Sequence, residues 1–253
     1  MKIGLICAEC VGEAIRDRGP QPNKRFVDVQ DNGIYKLTCP KGHSTNVLVQ
    51  DLKHELLFEY GAIALIDGYS REAVVSFMAS VERLYEFIIR VLARVAKTSQ
   101  SDVEKAWKGV DNKSEQQLGA VIFLYLTING KHLPIFNDKE RGFRNKVVHK
   151  GYIPTSKEAT DFGEYCLQHI IAILNGLSQP SREALREEFK EHVRRILTKA
   201  GAHGVPTHHL RQPFIQTHAV GQDYFGKQTL QEMIDAVAEA VRPDGVANHG
   251  TSL

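Results

Sequence analysis

The sequence predicts a mainly α-helical chain: a helical bundle, preceded by a small β module and followed by extra C-terminal helices. Three observations carry that expectation. Over 70–97, Val74, Phe77, Met78, Val81, Leu84, Tyr85, Ile88, Ile89, Leu92 and Val95 recur at three- and four-residue spacings, which on a 3.6-residue turn draws one apolar stripe. Residues 1–50 instead hold short extended runs separated by turn signals. From Asp51 onward the chain is punctuated by helix starts and stops rather than by strand alternation.

In chain order, strands are expected over 24–30 (KRFVDVQ), 34–38 (IYKLT) and 44–50 (STNVLVQ), with Asn32-Gly33 as a hairpin turn between the first two. Three such short strands bury too little apolar surface to stand alone. Helices are expected over 51–66, stopped by Asp67-Gly68, and over 70–97, with Ser70 as its cap. Two more follow over 101–110 and 114–127, the second stopped by Asn129-Gly130. A basic helix over 137–148 ends at Gly151 and Pro154, and Thr155 with Glu158 forms a capping box for a helix reaching Asn175-Gly176. A charged helix over 181–199 carries a thin stripe of Leu185, Phe189, Val193 and Ile196. Residues 202–226 read as a loop joining it to a last helix over 228–241. The implied units are 1–50, 51–177 and a helical C-terminal extension over 178–253, with no internal repeat.

The 253 residues carry a net charge of only +2, so no global basic field points to nucleic acid or membrane, and such binding would need a local patch. No signal-peptide core follows the start and no apolar run is long enough to span a bilayer, so a cytoplasmic protein is expected. In that setting, closely spaced cysteines favour metal or redox chemistry over a disulfide framework.

Cys7-x2-Cys10 and Cys39-x3-His43, separated by 28 residues, make two ligand pairs. Zn2+ takes four sulfur and nitrogen ligands tetrahedrally, and two tight turns carrying two ligands each supply that geometry. Each pair fits such a knuckle, Gly42 letting the second wrap its metal, and the hairpin between them would bring the knuckles together. The segment resembles a zinc ribbon. Four protein ligands close the site, so a structural metal is expected rather than a catalytic one. A redox dithiol at Cys7 and Cys10 is the lesser alternative, since no strand-to-helix context is expected there. Cys166 lies in an apolar helix and reads as core. His203, His208, His209 and His218 lack ligand spacing and read as loop residues.

Residues 141–152 (RGFRNKVVHKGY) hold Arg144, the polar Asn145 and, with four residues between it and the arginine, His149. With the long helix carrying Glu82 and Glu86, the preceding 68–73 (GYSREA) and a capped helix after the motif, the segment over about 52–177 resembles the HEPN group of intracellular RNA-cleaving proteins. That resemblance implies an all-helical HEPN-like domain and a metal-independent endoribonuclease leaving 2′,3′-cyclic phosphate and 5′-OH ends. It also implies a homodimer with both motifs facing a shared cleft, and a role as a toxin or antiviral defence effector governed by an inhibitor or trigger partner.

The residue types suit that chemistry. An imidazole, titrating near ~6.5, moves protons at neutral pH, and the arginine fork matches phosphate oxygens. Asn145 can orient either. Glu82, at the edge of the apolar stripe, is a candidate for orienting Arg144 or His149, or a solvated carboxylate. Glu86 is explained by an i,i+4 pair with Arg90. Lys139, Arg141, Lys146 and Lys150 make a candidate RNA-binding patch, or an ordinary solvated face. His149 alone could simply complement a helix C-terminus. Residues five apart on a helix diverge by about 140°, so Arg144 and His149 are expected to meet only if the helix loosens or across a dimer. Two other readings stay open: a non-catalytic module binding RNA, nucleotide or protein, and a zinc-ribbon DNA-binding regulator, which lacks a clear recognition helix.

Overall fold

The computed structural model describes residues 2–20, 22–111, 113–199, 215–222, 225–226 and 229–241. It is mainly helical, with a small β-containing module at the N-terminus. In that module β1 (Lys2–Leu5) pairs antiparallel with β2 (Arg25–Asp28), Leu5 opposite Arg25, and β3 (Ile34–Thr38) pairs antiparallel with β4 (Ser44–Leu48), Thr38 opposite Ser44. Between β1 and β2 lies α1 (Ala8–Arg16).

This differs from the expected single hairpin. The Asn32-Gly33 turn joins the two sheets instead of two paired strands; Gly33 sits at φ +68, and Asn32 Oδ1 accepts the Ile34 N–H at 3.1 Å. β2 is largely exposed and supplies little apolar face of its own. Ile3 and Leu5 of β1, each 2% exposed, supply it, so β2 pairs there. With Tyr35, Leu37, Val47 and Val49 they form a small core of their own around Cys7, Cys10 and Cys39.

The helical body is organised on α3 (Ser70–Val95), whose Phe77, Val81, Leu84, Ile88 and Leu92 are fully buried, as the stripe predicts. Ser70 is its first helical residue rather than its cap, which is Tyr69. Around α3 pack α2 (Lys53–Ile66), α5 (Ser114–Asn129), α6 (Asp138–His149), α7 (Ser156–Asn175) and α8 (Gln179–Lys199). The Thr155–Glu158 capping box opens α7 as expected. Short α4 (Gln100–Trp107) buries no residue, and α9 (Leu230–Val241) lies on α2. Glycine lets the three central helices approach: a Cβ on Gly61 of α2 or Gly163 of α7 would fall 2.4–2.5 Å from the Phe77 ring. No helix among the described residues is long and apolar enough to cross a membrane.

Most of the expected 202–226 loop lies outside the described residues, including His203, His208 and His209. The described part is not a surface loop. Thr217–Ala219 forms a 3-10 turn with Thr217 fully buried against α2, and His218 rests on Phe189, ring centroids 5.3 Å apart. The reason is polar. α2 opens with His54 and Glu55, only 1% and 2% exposed, and groups so buried need partners. Thr217 supplies both: its Oγ1 lies 2.7 Å from His54 Nε2, and its N–H donates to Glu55 Oε1 at 2.9 Å. Leu52 N–H donates to the other Glu55 oxygen at 2.8 Å.

Burial, followed by the charge of Asp51, pushes Glu55 up to about 8, and burial, followed by the charge of His192, pushes His54 down to about 3. The signs set separate pH windows. Glu55's folded value is raised, so its contribution is fully present below its ordinary value and is lost as pH rises through about 8. His54's is depressed, so its contribution is lost as pH falls from ~6.5 toward about 3. Of these two groups, only Glu55 contributes a slope between about pH 6.5 and 8. Urea unfolding is therefore expected to show the native chain losing stability relative to Glu55→Gln as pH rises over that window; parallel curves would contradict the assignment.

Candidate active site and metal centre

Cys7 immediately precedes α1 with extended φ −69, ψ 123, and Cys10 lies in the helix's first turn. The first ligand pair thus starts a helix and is not a knuckle, and β1 leading into α1 is a strand-to-helix context that the sequence reading did not foresee. The second pair is a knuckle. Gly42 at φ +86 lets the chain turn, with Gly42 N–H donating to Cys39 O at 2.9 Å and Cys39 N–H to His43 O at 3.0 Å.

Helix start and knuckle face each other. The donor atoms of Cys7, Cys10, Cys39 and His43 all lie within 4.8 Å of one another. Cys10 Sγ is 3.6 Å from Cys39 Sγ and 3.5 Å from His43 Nδ1, and Cys7 Sγ is 3.9 Å from that nitrogen. Metal–sulfur and metal–nitrogen bonds of about 2.3 and 2.0 Å give tetrahedral edges of roughly 3.8 and 3.5 Å, so the set has the size a metal ion needs. The convergence of Cys39 and His43 on the dithiol favours a metal over a two-cysteine redox pair.

The surroundings fit as well. His43 turns its other nitrogen, Nε2, toward Glu13 and Glu9 at 3.5 and 3.8 Å, the outer carboxylate contact that fixes a ligating ring. Glu13 also holds Lys41 Nζ at 2.8 Å, and that bond lowers its carboxyl pKa. The thiols compete for protons. Burial, then the neighbouring thiols, push Cys10 up to about 12. Cys39 is lowered to about 7 because, against its burial, it accepts from the backbone of His43 and from Cys10. The fourth cysteine, Cys166, is buried in α7 as core.

The second constellation is on α6. Asn137 caps it, accepting the Glu140 N–H at 2.9 Å, and Gly151 at φ +68 turns the chain away after its end. Arg144 Nη1 reaches within 3.1 Å of His149 Nε2 and donates to Asn145 Oδ1, also at 3.1 Å. Arg144 Nη2 donates to Glu82 Oε1 of α3 at 3.1 Å. All four candidate residues therefore meet within one chain.

That convergence corrects the expectation from helix geometry, because α6 remains helical through His149. The 140° argument concerns Cβ directions. Helical side chains lean back over the preceding turn, so the terminal His149 tilts toward Arg144, whose long stem closes the remaining gap. A guanidinium only donates, so a hydrogen bond between the two would have His149 Nε2 as its acceptor. Arg144 Nε is buried without a hydrogen-bond partner. Arg144 and Glu82 side chains are each 23% exposed, and His149 is open to solvent.

Glu86 pairs with Arg83 at 2.7 Å and with Arg90 at 3.4 Å. The basic residues are less uniform than their spacing suggests. Lys139 lies 3.3 Å from Glu140, Arg141 pairs with Asp138, Lys146 sits 5.7 Å from the centre of the Tyr152 ring, and Lys150 is exposed just beyond α6. Of the four, Arg141 shares with Arg144 and Asn145 a cavity of about 270 Å3 that the sequence did not reveal. Its apolar walls include Met78, Leu118, Ile122 and Phe136. The available signal is α5, whose 118–126 stretch is apolar all round although only Val121 and Tyr125 of it are buried.

Comparison of the chain with family models, curated proteins and solved structures returned no match.

Proposed function

We propose that the chain is a HEPN-type, metal-independent endoribonuclease carrying a structural zinc module. The observation supporting it is the meeting of Arg144, Asn145, His149 and Glu82, a guanidinium fork held between a carboxylate and an imidazole. Three thiols with one imidazole suit zinc among the common divalent ions, and a set filled by four protein ligands suits a structural role.

In this reading the scissile phosphate draws Arg144 onto its oxygens, using Nε and the free direction of Nη2. His149 Nε2, released from Arg144, takes the proton of the 2′-OH. The 2′-oxygen bonds to phosphorus as the P–O5′ bond breaks, and O5′ takes a proton from an imidazolium. The products are a 2′,3′-cyclic phosphate and a 5′-OH. Glu82 and Asn145 hold the fork and act as positioning residues. Base and acid must stand on opposite sides of an in-line displacement, so a homodimer with paired motifs is proposed, each copy giving one histidine. Phe123 and Leu126 of α5, 72% and 37% exposed near the cavity, would lie in its interface. The proposed setting is cytoplasmic, as a toxin or defence effector restrained until triggered.

One observation favours the non-cleaving alternative: Arg144 is already neutralised by Glu82. Cleavage of end-labelled total RNA decides between them, with EDTA added briefly and zinc content checked afterwards. The native chain is expected to produce cyclic-phosphate ends, and His149→Ala to be slower by about 10²–10⁴-fold. Binding without cleavage by the zinc-loaded native chain would favour the alternative.

A further inference from the structure

We propose that the cavity beside Arg144 is a subsite for one unstacked nucleobase of single-stranded RNA. The proposal rests on the ribonuclease reading and adds to it the substrate form and a base preference. The cavity lies between α3, α5 and α6, and Arg144 and Asn145, assigned above to the phosphate, form part of its lining. A base entering it would therefore adjoin the phosphate held by the fork.

Its composition fits a base better than another phosphate. Met78, Leu118, Ile122 and Phe136 form apolar walls, while Ile135, 55% exposed, marks the rim. Planar bases, with apolar faces and polar edges, are taken up by such slots. At about 270 Å3 the space is below the usual range of small-molecule pockets and suits a single ring system.

The chemistry also requires unstacking. In a regular RNA helix the 2′-oxygen is not in line with the P–O5′ bond, so the nucleotide must splay out before it reacts, and a pocket beside the phosphate holds it there. Glu115, exposed on α5, lines the same cavity. Its carboxylate can accept from an exocyclic amino group, as carboxylates do from cytosine N4. Adenine, cytosine and guanine present such a group. Uracil offers only its ring N3–H, flanked by two carbonyl oxygens that a carboxylate repels.

The test is binding of short, fully 2′-O-methylated oligonucleotides, which cannot be cleaved, followed by fluorescence anisotropy. Hexamers of adenosine, cytidine and uridine are compared with one of abasic residues. Adenosine and cytidine are expected to bind roughly tenfold more tightly than the abasic hexamer, with uridine between. Ile122→Trp, which fills the slot, should bring all four affinities together. Ile135→Ser, at an exposed rim position that folding tolerates, should narrow the spread if the first variant fails to fold. Equal binding of abasic and base-bearing hexamers by a native chain that cleaves long RNA would overturn the subsite and leave the ribonuclease standing. Neither binding nor cleavage would overturn both.

Discussion

Arg144→Lys is expected to slow RNA cleavage almost as much as Arg144→Ala, by about 10²–10³-fold. The side chain's value lies in its fork. Arg144 has to keep Glu82 and Asn145 while it takes the phosphate, and its planar set of five N–H donors does this in a fixed arrangement that a lysine ammonium, a point charge on a flexible stem, does not reproduce. Initial rates for both variants, set beside their urea stabilities, check the expectation. A lysine variant near the native rate would show that positive charge alone suffices, and the fork would lose its place in the reaction.

Loss of the metal is expected to have the second large effect. Zinc binding contributes on the order of 10–16 kcal/mol in small zinc modules, which matches or exceeds the stability of a typical whole domain. The N-terminal core of Ile3, Leu5, Tyr35, Leu37, Val47 and Val49 is small, and three of the proposed ligands lie inside it. Cys39→Ser should abolish bound zinc and expose the amides of residues 2–50 to hydrogen exchange, while α3 and α7 stay protected. Cys166→Ser, away from the cluster, should keep its zinc. A Cys39→Ser protein with full metal content and native protection would remove the metal from the account of this module.

What the sequence made legible follows from how local each signal is. The α3 stripe and the Thr155–Glu158 cap are written within a few turns of chain, and both are found where expected. The four candidate metal ligands are legible by spacing, but the elements bearing them are not. α1 was missed because its cysteines read as a knuckle and Gly12 weakens its helical character. β1, four residues long, has almost no pattern to detect. Arg144, Asn145 and His149 stand out in the sequence only by their resemblance to a family motif. Their contact was hidden because spacing records Cβ directions and not the reach of an arginine. Thr217 and the cavity are long-range products, one pairing residues 163 positions apart and the other formed where helices meet, so neither has a local signature.

The place of Thr217 also bears on timing. Synthesis delivers the chain from the N-terminus at about 5–20 residues per second, and segments fold as they are released. His54 and Glu55 emerge early, yet the partner that satisfies them comes 163 and 162 residues later, and Leu230, Met233 and Val237 of α9 follow later still. For roughly ten seconds or more the nascent α2 holds two polar groups that it cannot bury without penalty. The contacts of Thr217 and α9 with α2 are therefore among the last that the growing chain can make, and α2 stays incompletely partnered until they arrive.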